Sequence, residues 1–446
     1  MDNSFQIPNS KFQIAVIGGG ASGIMSAIQA AQLGAQVTLF EKTKSIGRKL
    51  SITGKGRCNL TNATDAAEIV KNIPGNGKFL FSALKRFSPV DTVNFFEELG
   101  VKTKVERGGR VFPVSDDARE VLDALTRKLA LLNVDVKTNS PVTEIVAEHH
   151  KIKGVLVNGK IFSCDAVILA TGGMSYPATG STGDGFKFAR RLGHTVTQIL
   201  PALVPLETEE TFVRELQGLS LRNVNVKLLA DSKVVVEQFG EMLFTHFGVS
   251  GPIILTLSRQ AARLLADGRF VELEINLKPA LKVEQLDARI LRDFDKFRRK
   301  AIKNALVELL PAKLIPVVLD AAFIDDGKRV DDITVDERRR LVDTLRGLLL
   351  TVTKTRPIDE AIVTSGGVDV KEIDPRTMQS KIVDGLFIVG EVADIDGFTG
   401  GFNLQAAWST GFVAGTSATA IRNWNLKFGI VRRREVIPNS SFHIPN

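Results

Sequence analysis

Ile14-Ala15-Val16-Ile17-Gly18-Gly19-Gly20-Ala21-Ser22-Gly23-Ile24 decides the fold of this chain: an apolar strand runs into a glycine turn, then into the helix-like Met25 to Ala31. Just outward lies a second apolar strand, Gln36-Val37-Thr38-Leu39-Phe40, ending on Glu41. Strand, glycine turn, helix and acid in this order form a dinucleotide cradle. Gly18 permits the tight turn, Gly20 admits a pyrophosphate to the backbone, and Gly23 lets helix and strand pack closely. Glu41 is placed to accept hydrogen bonds from a ribose, and the helix start offers free N–H groups to phosphate.

Composition bounds the rest. At 446 residues, with 44% hydrophobic and 24% charged side chains, the chain predicts a soluble globular protein of two or three domains. No apolar run reaches the ~18 residues of a spanning helix, and the start lacks a basic then apolar segment, so no membrane and a cytoplasmic location are expected. Cys58 and Cys164 are the only cysteines, which supports neither a disulfide framework nor a metal cluster. The net charge of +8 suits an anionic cofactor. The densest basic stretch, Lys296 to Lys300, has no aromatic platform and is read as a solvated face, so a nucleic-acid partner is not expected.

Further along, an amphipathic helix is predicted from Ala118 to Leu132, with Val121, Leu122, Leu125 and Leu129 on one face. Ala166 to Leu169 forms an apolar strand that delivers Ala170-Thr171-Gly172-Gly173 to a ligand. Beyond Pro201 the grammar changes to alternating strands, such as Val224 to Leu228 and Val271 to Ile275. Helix patterns follow, ending with Asp336 to Leu350, which predicts an inserted domain. Leu386-Phe387-Ile388-Val389-Gly390-Glu391 then repeats the strand-to-glycine step. Gly400-Gly401-Phe402-Asn403 opens a last helix whose N-terminal N–H groups suit the negative charge of a reduced isoalloxazine ring. Two such ends call for an extended cofactor, non-covalent FAD, with Glu391 at the ribityl chain. The termini carry a short echo, Ser4-Phe5-Gln6-Ile7-Pro8-Asn9 and Ser441-Phe442-His443-Ile444-Pro445-Asn446.

These motifs, with Gly47 to Asn62, Met174 to Gly185 and the insert segment Gly240 to Pro252, resemble the YhiN/BaiN-like, or aminoacetone oxidase-like, FAD-dependent oxidoreductases over nearly the whole chain. The resemblance implies an α/β fold: a Rossmann-like FAD-binding domain of the glutathione-reductase type, interrupted by a β-barrel-like insert with a helical subdomain. The expected plan is 1–200 and 358–430 for the FAD domain, 201–278 for the β-rich insert, 279–350 for its helices, 351–357 for a return strand, and 431–446 as a tail. Carried over by motif, Gly18, Gly20, Ala21, Ser22 and Gly23 would meet the pyrophosphate, Glu41 and Lys42 the adenosine ribose, and the backbone of Val142 the adenine. Arg48, Lys49, Gly56, Arg57, Cys58 and Asn59 would run along the FAD. Thr171 and Gly172 would close over the diphosphate, and Gly390, Glu391, Gly401, Phe402 and Asn403 would hold the ribityl chain and pyrimidine edge. A more distant likeness to fumarate reductase and aspartate oxidase flavoproteins rests on the Ala-Thr-Gly-Gly turn and the Thr-Gly-Asp-Gly helix start. It suggests hydride chemistry at carbon.

Flavin carries the hard step, so few titratable residues are needed. Tyr176 (proton donor or packing), His246 and Arg110 (carboxylate pairing) are the candidates on the side of a small-molecule substrate. Cys58 is read as packing. No second complete cradle is present, so NAD(P)H is expected only as a transient donor. Three readings stand: a reductase of unsaturated substrates charged by a reduced nicotinamide, an amine or aminoketone oxidase discharged by oxygen, and an RNA-associated or binding-only flavoprotein. Oligomeric state is left open.

Overall fold

The computed structural model describes residues 12–427, so the echoed termini and the tail lie outside the described residues. A five-stranded parallel sheet organises the FAD domain, in the order Leu386–Ile388, Ala166–Leu169, Gln13–Ile17, Gln36–Phe40, Asp135–Lys137. The opening strand is central, with Ile14 between Ala166 and Val37, and its Ile14, Ala15 and Val16 are fully buried. Strands covered on both faces must be apolar throughout, which is why these segments show no alternation. Parallel pairing sets the C-terminal strand ends side by side, and the crevice beyond those ends is where open α/β sheets bind ligands. Gly18, Glu41, Ala170 and Val389 follow four of these strands.

Helix Ala21–Gln32 packs against the last helix, Phe402–Lys427. Their contact is backbone to backbone: a Cβ at Gly411 or Gly415 would fall on the carbonyl oxygen of Ser22 or Ser26, 2.5 Å away. The amphipathic helix is Ala118–Leu131, with Val121, Leu125 and Leu129 buried and Leu122 partly so. A small antiparallel sheet of Thr61–Asn62, Arg110–Pro113 and Thr103–Glu106 stands beside the crevice.

The insert is a closed six-stranded antiparallel barrel, ordered Leu206–Thr208, Gly248–Ser250, Lys233–Phe244, Ser220–Ala230, Val271–Asn276 and Leu348–Thr355. Its interior takes alternate residues, Val226 and Leu228 facing in with Leu273 and Ile275. Helix Pro252–Ala266 packs on the barrel, and helices Val283–Lys296, Leu314–Ala321 and Val335–Arg346 extend the same core. Leu200–Ala202 pairs antiparallel with Val363–Ser365, a two-stranded neck joining insert to FAD domain. The sequence pattern carries a helix through to Leu350, but the helix stops at Arg346 and Leu348–Thr355 is a barrel strand. Leu348 and Leu350 pair with Ile275 and Leu273 across the barrel, so closure of the sheet overrides a helical periodicity they also satisfy.

Candidate functional site

A cavity of about 1160 Å³ runs from the strand ends of the parallel sheet to the face of the insert. At its first end Gly18, Gly20, Ala21 and Ser22 form the floor and Glu41, Lys42 and Val142 the side. Helix Ala21–Gln32 begins at Gly20 with no side-chain cap and no acid in its first turn, which leaves its N–H groups to a ligand. A Cβ built on Gly20 meets no atom within 4 Å, whereas one built on Gly23 would lie on the Gly18 carbonyl oxygen. Gly20 thus borders open space in the cavity, while Gly23 is glycine for the protein's own packing. The buried Glu41 carboxylate accepts from Gly19 N–H at 2.9 Å and Thr43 N–H at 2.8 Å, holding the turn in shape. Lys42 pairs with Asp184 at 2.6 Å. Burial opposes ionisation of Asp184, but its bonds to Lys42 and Thr182 prevail and hold its pKa below the ordinary value.

At the second turn, Gly390 N–H donates to Thr410 Oγ1 at 3.1 Å. The Glu391 carboxylate is a junction: it accepts from Lys49 Nζ at 2.7 Å, Thr364 N–H at 2.7 Å and Ser175 Oγ at 3.2 Å. It therefore ties the kinked segment Arg48–Gly56 and the neck strand to the cavity wall. Asn403 staples the turn that precedes its helix, accepting from Gly397 N–H at 2.7 Å and donating to the Gly397 carbonyl at 2.8 Å. Asn59, with its amide oriented to satisfy its neighbours, accepts from Gly401 N–H at 2.9 Å and donates to the Thr61 carbonyl at 3.0 Å.

Of the sequence candidates, Arg48, Lys49, Arg57, Asn59, Thr171, Gly172, Gly401, Phe402, Tyr176 and Arg110 also line the cavity. Gly23, Gly56 and Cys58 do not. Cys58 is fully buried, and desolvation pushes its thiol up to about 12, so it is a packing group rather than a thiolate. His246 is exposed, its ring edge-on to Phe247 at 4.9 Å, and the structure does not bring it to the cavity. The reason is its place on the barrel: the loop before strand Gly248–Ser250 points its side chain outward. Tyr176 is held left-handed at φ 52°, a strained backbone of the kind that collects at functional sites.

Sequence reasoning assigned no role to Asn62, whose amide donates to the carbonyls of Gly108 at 2.9 Å and Gly400 at 3.0 Å and so couples a hairpin turn to the second glycine turn. It also missed Leu203, Leu243, Pro252 and Leu255, the wall supplied by the neck and insert. Two of these, Leu243 and Pro252, lie in the segment quoted for its resemblance, but nothing local marks them as cavity wall. One polar array outside the cavity has the outline of a hydrolytic relay, Ser380 Oγ to His194 Nε2 at 2.8 Å and His194 Nδ1 to Glu372 at 2.9 Å. Ser380 Oγ also accepts from the N–H groups of Ile382 and Val383, and burial lowers the His194 pKa, so the array closes a turn.

The model of the HI0933-like protein Rossmann domain matches residues 12–417. The chain belongs to the HI0933-like family. An HI0933-like protein is an FAD-dependent oxidoreductase, and the open cradle at Gly20, the uncapped helix start and the second glycine turn of this one fit that cofactor. It is 36% identical over 411 residues to a 3-dehydro-bile acid delta(4,6)-reductase of Clostridium scindens, covering 91% of this chain and 98% of that one. It is 32% identical to a ribosomal RNA dihydrouridine synthase of Haemophilus influenzae, covering 90% and 97%, and 30% identical to one of Escherichia coli, covering 93% and 99%. Among solved structures, a 3-ketosteroid delta1-dehydrogenase from Sterolibacterium denitrificans shares the fold at a TM-score of 0.51 and 15% identity, covering 92% of this chain and all of that one. No helix among the described residues of this HI0933-like protein is long and apolar enough to cross a membrane.

Proposed function

We propose that this chain reduces a carbon–carbon double bond conjugated to a carbonyl in a small molecule, with a reduced nicotinamide as visiting donor. The observation that carries the reading is the lining of the cavity: besides the two glycine turns it takes in apolar residues of the neck and insert, Leu203, Leu243, Pro252 and Leu255, a surface that suits a small organic substrate. The names of the relatives agree on chemistry while differing in substrate, since a delta(4,6)-reductase and a dihydrouridine synthase each saturate such a bond. Bound FAD supplies hydride transfer at N5, two electrons in from the donor and two out to the carbon β to the carbonyl.

The chain's residues do the rest. The N-terminus of helix Phe402–Lys427 would offer partial positive charge to the bound flavin and so favour its reduced form. Leu203, Leu243, Pro252 and Leu255 keep water from the substrate face. Tyr176 bears a hydroxyl with no partner among the described residues and is the candidate to hold the proton that goes to the α carbon.

The test is anaerobic. NADH and NADPH are mixed in turn with the holoenzyme and the flavin absorbance is followed; a conjugated enone is then added without oxygen. Bleaching by a nicotinamide followed by recovery with the enone is expected. No bleaching by either nicotinamide sinks the reading, and bleaching by an amine with peroxide on aeration transfers the chain to the oxidase reading.

A further inference from the structure

Away from the glycine turns the cavity lining includes two unlike stretches. The wall made by the neck and insert, Leu203, Leu243, Pro252 and Leu255, carries no charge. A second part of the lining comes from the hairpin of Thr103–Glu106 and Arg110–Pro113 with the kinked segment before Cys58, and it contributes Lys55, Arg57, Arg107, Arg110 and Phe112. Arg57 is committed: it bonds Glu106 at 2.8 Å and Asp116 at 3.0 Å and lies 4.0 Å over the Phe112 ring. Lys104, just behind, takes Asp116 at 2.6 Å. Arg110 reaches Glu106 only at 4.0 Å, and Lys55 and Arg107 have no ion-pair partner among the described residues. Glu106 and Asp116 thus serve three of the five basic groups. The cavity's own acids, Glu41, Asp184 and Glu391, stand elsewhere with partners of their own.

Lys55 adds a second sign. Gly54, Lys55 and Gly56 are all left-handed, at φ 58°, 60° and 85°. A lysine between two glycines in this region is backbone strain at a cavity wall, where such strain serves a site.

We propose that this part of the cavity reads the anionic end of the substrate: the molecule reduced is an amphipathic organic acid, its apolar body against the insert and its carboxylate among Lys55, Arg107 and Arg110. The inference rests on the reductase reading for the reaction, but not for the binding. An apolar wall receives apolar area without directional demand, while guanidinium and ammonium groups take a carboxylate through charge-assisted hydrogen bonds. A polynucleotide fits less well. It needs an extended basic track with free aromatic faces, whereas here Arg107 and Arg110 belong to one short hairpin and the Phe112 ring is already covered by Arg57.

Binding is read on the oxidised holoenzyme without donor, from the perturbation of the flavin spectrum, so absence of turnover does not enter. The probes are 3-oxo-4-cholenoic acid, its methyl ester and a uridine-bearing RNA hairpin. The parent is expected to bind the acid at least tenfold tighter than the ester, with the preference shrinking as salt rises. The Lys55→Gln/Arg107→Gln/Arg110→Gln variant is expected to bring acid and ester within threefold, with flavin content and melting temperature as in the parent. Equal binding of acid and ester by the parent overturns the proposal, as does a preference that survives in the variant or the absence of any response to either probe. Tight, salt-sensitive binding of the RNA alone, lost in the variant, gives the wall to a polynucleotide instead. Acid preference with no nicotinamide bleaching leaves this site standing and removes only the reductase reading.

Discussion

Gly20 and Gly23 stand three residues apart in one turn and are glycine for different reasons, which a pair of substitutions separates. Gly20 has ordinary extended geometry, φ −84° and ψ −174°, and open space where a Cβ would go. Gly20→Ala is expected to leave the melting temperature of the apoprotein within the error of the parent, yet to weaken FAD binding at least tenfold, because its methyl projects where the pyrophosphate approaches. Gly23→Ala sets a methyl on the Gly18 carbonyl and 3.2 Å from Ala170 Cβ, so it should cost about 1–3 kcal/mol of stability as well as affinity. Apoprotein melting and fluorescence titration with FAD check both; a Gly20→Ala protein with parental affinity would remove the pyrophosphate from this turn. The packing role of Gly23 was legible in the sequence, since strand, turn and helix each announce themselves locally. The partners of Asn62 were not, because Gly108 and Gly400 reach it only through tertiary approach.

Among the elements, helix Val335–Arg346 shows how far the insert is energetically separate from the site. Thr334 caps it, with the Glu337 side chain returning to the Thr334 N–H at 2.8 Å. Thr334→Ala should lower stability by about 1 kcal/mol and shift FAD affinity less than twofold. The Glu337 carboxylate is drawn down to about 2, first by Lys328 and then by the Thr334 N–H. A carboxyl depressed on folding contributes stability that is full above its ordinary pKa of 4.5 and is lost as pH falls through the folded value. The stability difference between parent and Glu337→Gln should therefore be present at pH 6, shrink below pH 4.5 and vanish near pH 2 in urea titrations. A difference constant across that range would show that the bond to Lys328 is not formed. The start of this helix is set locally, by Thr334 and Glu337; its end is not, since the strand that displaces its last turn exists only in a closed barrel.

For the whole molecule, the decisive contact is the buried ion pair between Arg259, on insert helix Pro252–Ala266, and Asp396, in the loop that carries Ile395 and Phe398 into the cavity. Arg259 Nη2 bonds Asp396 Oδ1 at 3.0 Å, and Ser365 of the neck donates to the same oxygen at 3.2 Å. Asp394 beside them is pushed up by its own burial and then by the charge of Asp396. Removing one partner of a buried pair leaves the other charge uncompensated, so Asp396→Asn should destabilise by about 3–5 kcal/mol, and Arg259→Met/Asp396→Leu should recover most of that loss. A double-mutant cycle by chemical denaturation measures it; additive effects would mean that the pair does not couple the two domains.

The sequence by itself determined the parallel FAD domain, both glycine turns, the presence of a β-rich insert and many of the residues that line the cavity. These are signals of local periodicity and turn chemistry, carried by contiguous residues such as Ile14 to Gly23 and Leu386 to Glu391. Only the tertiary structure decided that His246 faces away and that Lys55, Arg107 and Arg110 line the same cavity as Leu203, Leu243 and Leu255. The physical reason is that a leucine in a barrel core and a leucine on a cavity wall have the same local pattern. Strand pairing across the insert and the buried Arg259–Asp396 contact set which of them meets the cavity.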